Sequence, residues 1–458
     1  MSWLSRGTRH LHDARTIGAL ALASLLVGTD ALALPQFAIR SSRTCNNCHV
    51  EPFEFENPSI ELRKCSLNCG TCHVNPSGGG MRGGSGRYYG REEVPLFGSR
   101  PSEWVAESVL TSSAGPASGP SSGPTTFEAA RSGAHIPGHR ARYAGLEPFP
   151  IVQLGADLRL MGYFPEGGTN AFFPMQTDLH LAVRPYNPEQ LNEGRVTVLA
   201  TLGFEGRRAN EFSGFADRFF VKEYWALAHD LPYQLYGKLG RFLPAYGWRL
   251  DDHTPFIRQG QGFDNEAQVT GLEVGLNPNY LFGHLSIFNP ALEWDKPIES
   301  DRGIGVAASG GYRELLWQLG GQFMAQARKD ATELWAGAHW GLNFHEATHD
   351  WKGLELAPVI YLGELDVQTR TPEGGDAVTA LSAFHEVDVE AHRGINLKLR
   401  YDWRDANLSN LDDHRHRLTF GFEIHPYTFV EVIAQYRLNL EPGSRDDNEG
   451  ILQVHGWF

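Results

Sequence analysis

Ile395-Asn-Leu-Lys-Leu-Arg-Tyr-Asp-Trp403 alternates apolar and polar side chains at every step. Successive residues of a strand point to opposite faces, so this period of two predicts a strand with one apolar and one polar face. The same pattern recurs. Leu154, Ala156, Leu158 and Leu160 alternate with Gln153, Asp157 and Arg159, and Met175, Thr177, Leu179, Leu181 and Val183 with Gln176, Asp178, His180 and Arg184. Leu418, Phe420, Phe422 and Ile424 alternate with Thr419, Glu423 and His425. A soluble sandwich also alternates, so the connections have to decide between the two.

About sixteen such segments fill residues 149–458, and short and long connections largely take turns between them. His229–Pro232, Asn277–Asn279, Tyr312–Glu314, His392–Gly394 and His425–Tyr427 are short; Pro165–Phe173, Arg207–Arg218, Pro244–Asn265, Asn289–Asp301, Asp366–Asp376 and Asp405–His414 are long. Short turns on one side, long loops on the other and an even strand number predict a transmembrane antiparallel β-barrel. Arg328–Ala331 is too short for its side and Tyr186–Gly194 too long. Leu452, Val454, Gly456 and the terminal aromatic Phe458 share one face of the last strand, and Trp225, Trp317, Trp340, Trp403 and Trp457 are expected in the interfacial girdles. A sheet in lipid must close to satisfy its backbone, and sixteen strands leave a lumen wide enough for a channel or a plug. The polar faces are expected to line it.

Ahead of the barrel lie three other pieces. Arg6, Arg9 and Arg15, the apolar run Ile17 to Val27 and Ala31-Leu32-Ala33 form a secretory signal peptide over 1–33. The apolar run is too short to span a bilayer as a helix. Residues 112–148 are rich in Ser, Gly and Pro and read as a linker. Residues 34–111 hold the cysteines. There, Cys45-Asn-Asn-Cys48-His49 and Cys69-Gly-Thr-Cys72-His73 repeat the C-x-x-C-H pattern of c-type haem attachment. Cys45, Cys48, Cys69 and Cys72 are candidates for thioether bonds to two haems c, with His49 and His73 as axial ligands of the irons. The twenty-residue spacing between Cys48 and Cys69 also fits a four-thiolate zinc site, but only haem gives both histidines a role. Cys65 is left over, and its expected role is a buried thiol. Met81, His135 and His139 are candidate distal ligands, with lumen-facing His180 and Met161 as further ones. The Gly-rich run after His73 is expected to let backbone pass close to a haem. Asp251-Asp-His253, in the longest expected external loop, is a candidate contact for extracellular iron or a solvated charged loop.

The net charge of −14 and the lack of a basic stripe exclude nucleic acid as a partner. No nucleophile triad, phosphate loop or paired-carboxylate motif stands out.

The order of leader, haem-bearing segment and single barrel resembles the outer-membrane cytochrome–porin fusions of iron-oxidising bacteria. Pro35-Gln-Phe-Ala38 before the first haem motif carries this likeness, together with the barrel running to Phe458. Gly240-Arg-Phe-Leu-Pro-Ala-Tyr-Gly247 is similar to a strand-to-loop motif common in porins. The chain departs in having two haem motifs where that family usually has one. The resemblance implies an electron conduit in the outer membrane of a Gram-negative bacterium, embedded in outer-membrane lipid. Its partners would be periplasmic c-type cytochromes and extracellular iron or another redox partner, with iron oxidation or reduction as the associated chemistry. The alternative expectation is a diffusion porin with a periplasmic haem-binding docking segment.

Overall fold

The computed structural model describes residues 69–83, 86–87, 90, 94–97 and 151–458, the last apart from 187–194, 205–218, 251, 253, 264–266, 278–279, 291–302, 315, 329, 345–358, 393, 411 and 442–446. All of the described residues belong to one compact unit, Ala33–Phe458. The first haem motif, Cys65, His135, His139, the signal peptide and the linker lie outside the described residues.

Sixteen strands follow one another: β1 (Val152–Pro165), β2 (Ala171–Tyr186), β3 (Arg195–Phe204), β4 (Phe219–His229), β5 (Leu235–Phe242), β6 (Val269–Leu276), β7 (Leu281–Asn289) and β8 (Ile304–Arg313) form the first half. β9 (Trp317–Ala327), β10 (Ala331–Asn343), β11 (Val359–Pro372), β12 (Val378–His392), β13 (Ile395–Asp405), β14 (His414–Ile424), β15 (Val430–Leu440) and β16 (Glu449–Trp457) form the second. Each pairs antiparallel with its sequence neighbours, and β1 pairs with β16 from Asp157↔Trp457 to Pro165↔Glu449, which closes the barrel. Every strand therefore has two partners and no edge is left unpaired.

The barrel is inverted relative to a soluble protein. Leu397, Leu399, Phe420, Phe422, Leu285, Ile287, Leu272 and Val274 are exposed on the outer face. The alternate positions, such as Asn396, Arg400, Asp402, Thr419, Glu423, Ser286 and Glu273, are buried inside. In register, Leu399 sits beside Phe420 while the next pair, Arg400 and Thr419, points inward. Such an apolar exterior fits lipid and not water, which excludes the soluble sandwich that periodicity alone leaves open.

The connections match the expected alternation with three differences. β11 continues to Pro372 and β2 begins at Ala171, so two expected long loops shrink to 373–377 and 166–170. These strands are long enough to stand clear of the lipid band and absorb residues that composition assigns to loops. At the other end 344–358 joins β10 to β11, a long connection that the sequence reading missed. The anomalies at 328–330 and 187–194 are real. Of the expected girdle, Trp317, Trp340 and Trp403 alternate outward, whereas Trp225 is 2% exposed inside the lumen and Trp457 stacks near the inward His455. Aromatic content near a strand end does not by itself fix the face; parity within the strand does.

An arginine at mid-strand on the outer face has to enter hydrocarbon. Leu285→Arg is expected to destabilise the barrel by about 2–4 kcal/mol, read as a lowered urea midpoint of protein folded into liposomes. Ser286→Ala, one residue on and lumen-facing, should leave the midpoint within about 1–3 kcal/mol of the parent, the range for one lost buried partner.

Candidate functional site

The lumen is occupied from both ends by chain that is not barrel wall. At the short-turn end sits the described part of the cysteine-bearing segment. Cys69–Thr71 forms one 3-10 turn, and the N–H groups of Cys72 and His73 both donate to the Cys69 carbonyl at 3.2 and 3.0 Å. That winding brings Cys69, Cys72 and His73 onto a single turn. A tight hairpin follows, in which His73 pairs with Arg82 and the Val74 N–H donates to the Met81 carbonyl at 2.9 Å. Its tip is Gly78-Gly79-Gly80, with φ of +88°, +75° and +62°. Three successive left-handed residues are tolerated only by glycine. The expected conformational demand is there, and it serves to fold the hairpin against Cys69 and Arg249.

The hairpin is fastened to the wall by buried polar contacts. Lys238 Nζ of β5 donates to Asn75 Oδ1 at 3.2 Å and forms an ion pair with Glu273 of β6 at 2.7 Å, both side chains being fully buried. Tyr236 and Ser286 donate to the same Glu273 carboxylate at 2.8 and 2.9 Å. Asn277 Nδ2 donates to the Pro76 carbonyl at 2.7 Å. Arg82 pairs with Asp157 of β1 at 3.1 Å and stacks over Trp457, 4.9 Å from the ring centroid. Farther along, the Leu96 and Phe97 N–H groups donate to the His425 and Pro426 carbonyls at 2.7 and 3.0 Å. The described residues between 69 and 97 thus contact both the β5–β7 side of the mouth and the β14–β15 turn.

From the long-loop side, the β5–β6 connection, 243–268, folds inward and crosses to the opposite wall. Gly247 adopts φ of +53° and lies so close to Glu364 that a Cβ would collide with the carboxylate. The next residue, Trp248, donates its N–H to Glu364 Oε2 at 2.8 Å and its indole N–H to the Gly363 carbonyl at 3.0 Å. Tyr246 donates to Asp366 Oδ1 at 3.0 Å; burial, with Asp366 and Glu364 alongside, pushes its phenol up so that it stays a donor. Asp252 lies against Arg400 and Arg437 at 2.7 and 3.1 Å. Burial alone would raise its carboxyl, but Arg437 and Arg400, together with hydrogen bonds from Thr254 and Arg400, hold it well below the usual carboxylate range. For Asp252 the expectation of a solvated charged loop is therefore corrected: it turns into the barrel as an ionic anchor, because the arginines of β13 and β15 face it, while Asp251 and His253 lie outside the described residues.

Cys69 and Cys72 are not joined to each other, and Cys69 lies beside the Arg313 guanidinium of β8. Two thiols and an imidazole on one turn are the donor set a thioether-linked haem requires. The cavity beside His73, however, measures about 20 Å³, room for a water and not for a porphyrin. A haem on this turn needs the segment to move against the wall. Met81 is 2% exposed and packs against Gly155. Both nitrogens of His180 are engaged, by Asp157 and Thr201 at 2.9 Å each, so its polarity serves the wall. The sequence reading gave no seating role to Lys238, Glu273, Asn277 and Asp157, which hold the hairpin. Their inward parity was visible, their partner was not.

The fold is that of outer-membrane porins. OmpT of Vibrio cholerae in its trimer form superposes with a TM-score of 0.51 at 7% identity, over 67% of this chain and 99% of that one. An anion-selective porin from Comamonas acidovorans matches with a TM-score of 0.48 at 13% identity over 67% and 99%. The outer-membrane channel DcaP of Acinetobacter baumannii does so at 0.47 and 10% over 67% and 97%. No protein-family model matches the chain, and no curated protein matches its sequence. At such identities the likeness is one of fold alone.

Two changes test this architecture. Lys238→Met leaves Glu273 charged and unpaired in the lumen wall and should cost about 3–5 kcal/mol in a urea unfolding series; adding Glu273→Gln should recover much of that loss. Asp252 has a folded-state pKa below its unfolded value of about 3.9, so its contribution is complete above that pH and fades as pH falls through the lower, folded value. Hydrogen exchange over 243–268 should stay slow from neutral pH down to about pH 4, whereas Asp252→Asn should speed it at every pH.

Proposed function

We propose that the chain is an outer-membrane electron conduit. On this reading, c-type haem at the mouth or inside a porin-like barrel passes electrons between an extracellular partner, such as iron, and periplasmic c-type cytochromes. The observation that carries the proposal is the seating of the Cys69–His73 turn within the lumen wall, between Arg313 of β8 and the Lys238–Glu273 pair. The outer-membrane apolar band is about 25 Å tall, and electrons traverse such a layer only between closely spaced centres. A haem-binding turn held inside the barrel shortens that route; one hanging free below it would not. Cys69 and Cys72 would hold one haem with His73 as axial ligand, and Cys45, Cys48 and His49 a second. When bound, haem supplies one-electron chemistry. The chain's own contribution is to exclude lipid and to hold the turn by the Asn75, Pro76 and Arg82 contacts. Short turns face the periplasm in barrels of this kind, which would put the second haem motif on that side.

A second reading, a diffusion porin whose haem segment docks a partner, is favoured by a different observation. The lumen wall carries Arg400 and Arg437, paired with Glu386, Glu449 and the half-buried Asp252, a polar lining of the kind a solute channel has.

Purified full-length protein in proteoliposomes with a trapped redox dye separates the two. The conduit reading expects two haems per chain, with dye reduced by an external membrane-impermeant donor while small sugars stay excluded. Cys69→Ala/Cys72→Ala should lose one haem and slow dye reduction at least about 10-fold. A colourless protein that binds zinc at its thiolates sinks both haem readings, and sugar leakage without electron transfer selects the porin.

A further inference from the structure

A run of histidines and carboxylates crosses the lumen wall beside the insert. Thr201, His180, Asp157, His455 and Glu431 follow one another in hydrogen-bond contact across β3, β2, β1, β16 and β15. The run ends at Glu423 of β14, His425 in the β14–β15 turn and Glu431 of β15, whose ligand atoms all lie within 4.8 Å of one another. The register explains the convergence: His425 directly follows β14, two residues after Glu423, so both turn toward the lumen, and the turn brings Glu431 back alongside. All three are buried, at 1%, 4% and 4% exposure.

Two features of this end of the run set it apart. A single imidazole nitrogen, His425 Nε2, faces two carboxylates, Glu423 at 2.8 Å and Glu431 at 3.9 Å. One N–H proton cannot serve both, and two carboxylates this close in a buried site repel one another unless a cation lies between them. Lys398, 2.8 Å from the far oxygen of Glu423, offsets one of the charges. In addition, His425 Nδ1 is buried with no hydrogen-bond partner among the described residues, whereas both nitrogens of His455 and of His180 are engaged. With no acceptor to satisfy at Nδ1, His425 can carry its proton there and turn the Nε2 lone pair toward the two carboxylates, the tautomer a metal ligand needs.

We propose that Glu423, His425 and Glu431 bind one divalent transition-metal ion of the Zn²⁺ class, with His455 positioning Glu431. One imidazole and two carboxylates, with no thiolate, suit Zn²⁺ or a neighbouring first-row ion, and water would complete the coordination. Metal–ligand bonds of about 2.0–2.2 Å put tetrahedral donors roughly 3.4 Å apart, and the observed 2.8 and 3.9 Å separations bracket that value. His455 holds the second Glu431 oxygen at 3.0 Å and is itself held by Asp157 at 2.9 Å, the outer support that fixes a ligating carboxylate. Asp157 also pairs with Arg82 of the insert, and the Leu96 N–H caps the His425 carbonyl, so the metal would lie where insert and barrel join. The site is independent of both haem motifs and stands whether or not haem is attached.

The test is equilibrium dialysis of the full-length chain in detergent against Zn²⁺, with every thiol not in thioether linkage alkylated beforehand. One Zn²⁺ per chain is expected. His425→Ala and Glu431→Gln should each weaken binding by at least about 100-fold, and His455→Gln by about 10–100-fold, all with heat-modifiable gel migration retained. X-ray absorption at the zinc edge of the parent protein should show a nitrogen and oxygen shell with imidazole scattering; this reading needs no variant to fold. No bound zinc in the parent, unchanged binding in His425→Ala, or an edge spectrum without imidazole scattering overturns the proposal.

Discussion

Everything in this molecule follows from the absence of water on the outer face. In hydrocarbon an unpaired backbone N–H or C=O has no substitute partner, so the sheet must close, and β1 meets β16 over nine register pairs to do it. Closure fixes parity for all sixteen strands at once. A residue one place out of step would put an arginine such as Arg400 into lipid and a leucine such as Leu399 into the lumen. The barrel therefore carries its polar inventory inside, where a soluble protein carries its core.

That inversion creates a second problem, which the insert and the inward loop solve together. A lumen lined by Lys238, Glu273, Asp157, Arg400 and Glu364 must either stay wet or pair its charges within the protein. Here much of the pairing is done by chain that enters from the two ends. Asn75 and Pro76 engage Lys238 and Asn277, Arg82 engages Asp157, Trp248 engages Glu364, and Asp252 engages Arg400 and Arg437. Apolar side chains complete the filling: Val74 and Met81 from the insert pack in one cluster with Trp225, Phe242 and Tyr246, while Ile257 packs with Leu362 and Phe384. The lumen is thus a second, mixed core, whose buried polar contacts are costly to break.

The barrel was legible in the sequence because period-two alternation and turn length are local properties. Strands such as β13 and β14 could be placed from their own residues, and the strand number followed. What was not legible depended on partners far along the chain. Nothing near Asp252 announces that its loop turns inward; that is decided by Arg400 and Arg437, 148 and 185 residues away. Trp225 and Trp457 look like girdle residues until strand parity, set by β4 and β16 as wholes, turns them inward. The Glu423–His425–Glu431 group spans a turn read only as short, and its outer support, Asp157, lies on the first strand of the barrel. The cysteine motif was legible as a motif, while its seat among β5, β6 and β8 was not.

The seating of that motif bears on the proposed conduit reading. The Cys69–His73 turn is held on one side by the Cys69–Arg313 contact and on the other by the hairpin tied to Lys238 and Asn277, with about 20 Å³ free beside His73. A porphyrin cannot reach both thiols through such a space. On that reading a haem-bearing turn would have to sit differently against the wall from the turn described here, whichever of attachment and docking came first. The hairpin contacts that seat the insert involve Asn75, Pro76 and Arg82, not the cysteines, so they remain available to a haem-bearing turn. Three glycines in succession at the hairpin tip give the backbone the conformational freedom such a shift would need.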